Sequence, residues 1–242
     1  MISHLEARDL VKTFGGRKVV DEISVEVKGG EVVGLLGPNG AGKTTTFSII
    51  LGLVPGDSGR IFLDGRDITS LPMYLRAQGG LCLLPQEPSA FRRLNVEDNL
   101  LAILEMRGAP ADGGKATAGR ILKEFGLERL AKARAYTLSG GERRRLEIAR
   151  ALITRPRFML LDEPFTGIDP LAIQELQRII RSLKAMGLGV LITDHSVRET
   201  LRITDRAYII HGGSILKSGT PADLVLSEEV KRSYLGERFT LS

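Results

Sequence analysis

The chain has no tryptophan, and aromatic residues fill only 5% of its 242 positions. Basic stretches such as Arg92-Arg93 and Arg143-Arg144-Arg145 are not interleaved with the aromatics that nucleic-acid surfaces use for stacking, so no nucleic-acid partner is expected. Cysteine occurs once, at Cys82, which excludes an internal disulfide and agrees with a reducing compartment. No apolar run approaches the ~18 residues of a membrane-spanning helix. The opening Met1-Ile2-Ser3-His4-Leu5-Glu6 has neither the basic stretch nor the apolar core of a secretion signal. A cytoplasmic globular protein is expected. The net charge of +5 is modest and reads first as a solvated basic surface, with phosphate binding and an anionic membrane face as further uses.

The remaining composition is ordinary, with 26% charged and 43% hydrophobic residues in a length that can bury a substantial core. The first ~30 residues alternate as strands do, in Leu5-Glu6-Ala7-Arg8-Asp9-Leu10-Val11 and Ile23-Ser24-Val25-Glu26-Val27, with turns at Gly15-Gly16 and Gly29-Gly30. Glu31-Val32-Val33-Gly34-Leu35-Leu36 is a short apolar run that reads as a strand, and residues 44–53 read as the helix that follows it. From residue 96 to 153 the period is helical. Residues 108–119, rich in Gly, Ala and Asp, read as an exposed loop between helices, and residues 139–153 as a helix stopped before Pro156. Two buried strands, at 158–161 and 190–193, flank a helix over 171–186, and residues 206–218 form a hairpin turning at Gly212-Gly213. Strands alternating with helices predict an α/β fold with a mostly parallel sheet covered on both faces.

Between the strand and the first helix lies Gly37-Pro38-Asn39-Gly40-Ala41-Gly42-Lys43-Thr44, the G-x-x-x-x-G-K-[ST] pattern of a phosphate-cradling P-loop. Its backbone N–H groups close around a β-phosphate, the helix start adds a positive dipole end, Lys43 reaches the β- and γ-phosphates, and the Thr44 hydroxyl ligates Mg²⁺ with Thr45 close by. The absence of an Asn-Lys-x-Asp segment favours ATP over GTP. Phe158-Met159-Leu160-Leu161-Asp162-Glu163 is a buried strand that ends in two carboxylates, as in a Walker B segment. Asp162 is expected to hold Mg²⁺ through water, and Glu163 to polarise the attacking water. Leu138-Ser139-Gly140-Gly141-Glu142 opens a second helix on a glycine turn. Ser139 and Glu142 can form a capping box, yet two glycines in the first turn cost helix propensity while baring N–H groups for an anion. A second phosphate-binding helix end is hard to use within one chain, and between two chains it completes a γ-phosphate site.

With these motifs in this order, the whole chain resembles the ATP-binding subunits of ABC transporters. The resemblance implies a P-loop NTPase (RecA-like) core with an N-terminal antiparallel β subdomain over residues 1–86 and 154–220. It also implies an inserted α-helical subdomain over 87–153 and a helical tail over 221–242. It implies adenine stacking on Phe14, Gln86 touching Mg²⁺ and the attacking water, His195 contacting the γ-phosphate, and Asp169 in a D-loop facing the opposite site. It further implies an ATP-bound homodimer that pairs the P-loop of one copy with Ser139, Gly140, Gly141 and Glu142 of the other. Phe91-Arg92-Arg93-Leu94, Leu84-Pro85-Gln86-Glu87 and the tail Tyr234-Leu235-Gly236-Glu237 resemble the ATPases of the lipopolysaccharide export system of Gram-negative bacteria. That likeness implies a groove at Phe91 and Arg92 for two integral inner-membrane subunits. It also implies a peripheral position on the cytoplasmic face of the inner membrane, and anchors at Tyr234 and Phe239 near the dimer interface; the simpler reading of the tail is a helix covering its own domain. ATPases of branched-chain amino acid importers share much of the pattern, and soluble ABC ATPases acting on DNA or ribosomes share the core motifs.

Overall fold

A computed structural model describes residues 2–237 and 239–241. Strands β1 (His4–Phe14) and β2 (Arg17–Lys28) form a hairpin turning at Gly15-Gly16, followed by β3 (Val32–Leu36) and α1 (Lys43–Leu51). Then come β4 (Ser58–Leu63), β5 (Arg66–Asp67), α2 (Met73–Gln78) and β6 (Leu81–Leu84). Helices α3 (Val96–Met106), α4 (Ala111–Glu124) and α5 (Gly140–Ile153) precede β7 (Phe158–Asp162), α6 (Pro170–Ala185), β8 (Gly189–Thr193) and α7 (Val197–Leu201). The hairpin β9 (Arg206–His211) and β10 (Ser214–Gly219) leads into α8 (Pro221–Leu226) and a short helical tail.

One sheet is antiparallel, in the order β2-β1-β4-β5; the other has the order β10-β9-β3-β8-β7-β6. In the second sheet only the β9–β10 pair is antiparallel. Its strands alternate faces with the period of two that a pleat imposes. Met159 and Leu161 of β7 join one apolar core with Val190 and Ile192 of β8 and the buried faces of α3, α5 and α6. Phe158, Leu160 and Leu191 join a second core with α1 and the antiparallel sheet. The carboxyl ends of β3, β7 and β8 therefore meet along one edge, where ligands of open α/β sheets bind.

Two differences from the sequence reading have physical causes. Residues 108–119 are not a loop, since α4 begins at Ala111. Gly114, Ala118, Leu122 and Phe125 are buried at helical spacing and face α3, so tertiary packing outweighs the poor propensity of three glycines. Helix α1 stops at Leu51, earlier than expected, because Gly52 turns left-handed at φ 77°. The buried Arg76 guanidinium then donates to the terminal carbonyls of Ile49 and Ile50 at 2.8 and 2.7 Å. The tail lies over its own chain, with Tyr234, Leu235 and Phe239 packed on an apolar cluster that contains Leu36, Leu201, Ile209, Leu224 and Val230. No helix among the described residues is long and apolar enough to cross a membrane.

Candidate active site

The phosphate loop leaves β3 at Leu36 and enters α1 at Lys43. Two of its glycines are required by close approach: a Cβ on Gly37 would lie 2.2 Å from the Ile210 carbonyl, and one on Gly42, at φ +107°, 2.4 Å from that of Val19. The Lys43 side chain is buried and its Nζ donates to the carbonyls of Gly37 (2.7 Å) and Pro38 (2.9 Å). Burial holds its ammonium below the ordinary lysine pKa, opposed by the charges of Glu163, Asp162 and Asp194. A cleft of ≈ 440 Å³ is lined by Val19, by Asn39, Gly40, Ala41, Gly42, Lys43, Thr44 and Thr45, and by Glu163 and His195.

Glu163 stands just past β7 in a left-handed conformation (φ 47°), which is costly for a residue with a side chain, and its N–H donates to the Thr193 carbonyl at 2.7 Å. That turn aims the carboxylate into a ring of partners. Gln86 Nε2 donates to Oε2 at 2.7 Å, Thr166 Oγ1 donates to the same oxygen at 3.2 Å, and His195 Nε2 lies 2.6 Å from Oε1. Three loops, following β6, β7 and β8, thus converge on one carboxylate. Burial raises the neighbouring Asp162 carboxyl above the usual aspartate pKa, the Glu163 charge adds to the shift, and Arg144 and Lys43 oppose it. Asp162 Oδ1 and Thr193 Oγ1 are buried and find no hydrogen-bond partner among the described residues.

Several supporting residues escaped the sequence reading. Arg144 donates to the carbonyls of Pro85 (2.6 Å) and Asp162 (3.1 Å) and to Glu147 (3.1 Å), tying α5 to the ends of β6 and β7. The Arg144 and Glu147 side chains are only 7% and 1% exposed, so the pair is a buried one, and Glu147 also accepts from the N–H of Ser89. Asp194 is fully buried and accepts from Phe165 N–H and Ser196 N–H, both at 2.7 Å. It pins the His195 turn to the segment after Glu163, and burial raises its pKa against those two donors. Charged residues at helical spacing from Gly141 on the inner face of α5 were the available signal for Arg144 and Glu147.

The other candidates lie apart from the cleft. Ser139 caps α5, its Oγ accepting from Glu142 N–H at 3.3 Å while Glu142 Oε2 accepts from Ser139 N–H at 2.8 Å. A Cβ on Gly141 would come within 2.5 Å of the Ala172 Cβ on α6, so that glycine permits a close helix contact. Asp169 caps α6 through the N–H groups of Leu171 and Ala172. Gly140 lines a small neighbouring hollow with Gln86, Arg143, Thr166 and Gly167. Phe14 is 50% exposed at the end of β1, outside the cleft lining, with Lys12 Nζ 5.4 Å from its ring centre. Phe91 is 41% exposed with the Arg150 guanidinium 4.3 Å over its ring, and its backbone is held at both ends by Asn99; Arg92 beside it is exposed.

Known proteins resemble the chain in sequence and in fold. The ABC transporter family model matches residues 20–166. A probable ABC transporter ATP-binding protein of Azorhizobium caulinodans is 56% identical over 237 residues, covering 98% of this chain and 84% of that protein. The lipopolysaccharide export system ATP-binding protein LptB of Escherichia coli K12 is 52% identical over 238 residues, covering 98% of this chain and 99% of LptB. Among solved structures, the ADP conformation of MJ1267, an ATP-binding cassette of an ABC transporter, superposes with a TM-score of 0.87 at 30% identity, over 97% of this chain and 99% of that one. By motif, fold and descent, the chain belongs to the ATP-binding subunits of the ABC transporter family.

Proposed function

We propose that the chain hydrolyses ATP as the engine subunit of a lipopolysaccharide exporter. The observation that supports hydrolysis is the Glu163 carboxylate, set at the cleft beside Lys43 and held by Gln86, Thr166 and His195. Export of lipopolysaccharide is supported by the identity to E. coli LptB across almost the whole of both chains. In the reaction Lys43 leaves the loop carbonyls for the β- and γ-phosphate oxygens, and loop N–H groups take the β-phosphate. Glu163 orients a water in line with the γ-phosphorus and accepts its proton. His195 stabilises charge on the transferring phosphoryl group. Gln86 and Thr166 fix the carboxylate's orientation before the substrate arrives.

The residues suit a hydrated Mg²⁺: Asp162 presents a buried oxygen without a partner beside the loop that carries Thr44. Thr44, Asp162 and Gln86 would hold the ion, which supplies charge neutralisation between the β- and γ-phosphates. A carboxyl whose folded pKa is raised gives stability that is complete below the ordinary aspartate pKa of 3.8 and is lost as pH rises through the folded value. Near neutral pH ionised Asp162 therefore weakens the nucleotide-free fold. Asp162→Asn is expected to raise the melting temperature by a few degrees in EDTA at neutral pH, and to abolish the extra stabilisation that Mg·ATP gives the parent. A lower melting temperature in EDTA would count against this balance of burial and charge.

Two copies close on two ATP molecules, each between one P-loop and the partner's Ser139 turn, and the pair docks through Phe91 and Arg92 on two integral inner-membrane subunits at the cytoplasmic face. The test is capture of Glu163→Gln with ATP from native membranes, with the integral proteins identified by mass spectrometry. Two membrane subunits with large periplasmic domains and a lipopolysaccharide-binding bridge are expected. Amino-acid permease subunits would replace the cargo, and recovery with ribosomes or DNA alone would overturn the transporter reading.

A further inference from the structure

Three hydrogen bonds stitch the turn after β7 to the turn after β8. Glu163 N–H donates to the Thr193 carbonyl, Phe165 N–H to Asp194 Oδ2 and Ser196 N–H to Asp194 Oδ1, each at 2.7 Å. Asp194 thus spends one carboxylate oxygen on each loop, and its side chain is wholly buried. A buried carboxylate needs such donors. The two amides equally need a carboxylate, because an asparagine in its place would turn an N–H toward one of them.

These bonds bracket the reacting groups. The Glu163 backbone is left-handed at φ 47°, a conformation that persists where its surroundings over-determine it. The Thr193 carbonyl holds it from within, and Asp194 holds it two residues on, through Phe165. Next to Phe165 stands Thr166, whose hydroxyl donates to Glu163 Oε2 at 3.2 Å. On the other loop, Ser196 is the centre of a tight turn (φ −77°, ψ 69°) in which Val197 N–H donates to the His195 carbonyl at 2.9 Å. From that turn His195 Nε2 reaches to 2.6 Å from Glu163 Oε1. Releasing either amide from Asp194 frees one loop to move against the other.

We propose that Asp194 is a positioning residue for hydrolysis: its two oxygens fix the loop after Glu163 against the loop that carries His195, and so set the contact between those two side chains before nucleotide arrives. The inference rests on the ATP reading of the cleft and adds to it a group outside the cleft lining. Phosphate binding belongs to the loop at 37–44, so the loss of this brace falls on the rate and spares affinity.

The test uses two variants that break the brace differently. Asp194→Asn removes one of its two acceptors. Lys43 also feels the Asp194 charge, so the second variant keeps the carboxylate: Ser196→Pro deletes the N–H that Oδ1 accepts, at a φ that proline adopts. The control is Gln177→Leu, which cuts the buried Gln177 from Glu199 and loosens α7 without touching Asp194. Single-turnover phosphate release, nucleotide dissociation constants and melting temperatures are measured on all three. The chain has three histidines, so selective ¹⁵N labelling follows the His195 imidazole directly. Displacing the reacting groups by roughly 1 Å is expected to slow phosphate release about ten- to a hundredfold in Asp194→Asn and Ser196→Pro. Nucleotide Kd should stay within about threefold of the parent, and the His195 resonance should move in the direction it takes in Glu163→Gln. Gln177→Leu should melt lower with its rate within about twofold of the parent. An equal loss of rate in Gln177→Leu would tie the rate to stability and overturn the proposal. So would a slow Asp194→Asn beside a parent-like Ser196→Pro, which would assign the effect to charge. If Asp194→Asn does not fold, Ser196→Pro decides alone, and a parent-like rate in it overturns the brace. Failure of the parent itself to hydrolyse ATP would instead overturn the functional reading on which the proposal stands.

Discussion

Glu163→Gln is expected to bind Mg·ATP with parent-like affinity, to accumulate as an ATP-bound dimer, and to hydrolyse ATP about 10²–10⁴-fold more slowly. The substitution is nearly isosteric, so the left-handed backbone at position 163 and its bond to the Thr193 carbonyl are undisturbed. What changes is the acceptor. In the parent both carboxylate oxygens are engaged, by Gln86 and Thr166 on one side and His195 on the other, and the water proton has an anionic destination. An amide keeps the shape and removes that destination. Because the loss falls on the transition state and not on the ground state, kcat should fall with little change in nucleotide Kd. Single-turnover phosphate release on pre-bound ATP, read beside a binding isotherm, separates the two quantities. Phosphate release within tenfold of the parent would move the base function elsewhere, with Gln86 and His195 then merely framing a structural carboxylate.

The parts of this site legible in the sequence are those in which a short segment makes its own chemistry. Residues 37–44 must form the loop because only glycine survives where Ile210 and Val19 press on the backbone, and that constraint is written into adjacent positions. The capping box at Ser139 and Glu142 is likewise local, and it forms as the spacing predicts. Strand β7 was visible because four apolar residues in a row have nowhere to go but a strand buried on both faces.

Features that depend on distant partners were not legible. Asp194 reads as the residue before a histidine, and only the fold shows that it pins Phe165 and Ser196. Arg144 sits in a run of three arginines whose charges look equivalent, yet one is buried against Glu147 and the ends of two strands. Helix α4 was misread for the converse reason: its glycines are weak formers in isolation, but Ala118, Leu122 and Phe125 bury one face of it in the core it shares with α3. The tail packs Tyr234 and Phe239 on their own chain, as the simpler of its two sequence readings has it, against an apolar cluster containing Leu36, Leu201 and Ile209 that no sequence period reveals.

The separation of Ser139 from the cleft leads to the second large effect. In one chain the bared N–H groups at the start of α5 lie beside Gly167 and Ile168, outside the lining of the phosphate cleft. If each active site takes its P-loop from one copy and its Ser139 turn from the other, two inactive variants can repair each other. Lys43→Ala removes the phosphate-binding ammonium, and Ser139→Arg blocks the turn with a bulky cation; either alone leaves both sites of a symmetric dimer defective. In a mixed dimer one site carries both lesions, and the other pairs an intact P-loop with an intact turn. Equal mixing makes half of the dimers mixed, each with one sound site of two, so about a quarter of parental turnover is expected if the sites act independently. Each variant alone should stay near background. The head-to-tail arrangement predicts this recovery, whereas a site completed within one chain predicts that the mixture is as inactive as its parts. Phosphate release from the mixture, normalised to mixed dimers counted by two affinity tags, decides between them; silence at a confirmed population of mixed dimers would mean that the glycines at 140 and 141 serve only the close contact of α5 with α6.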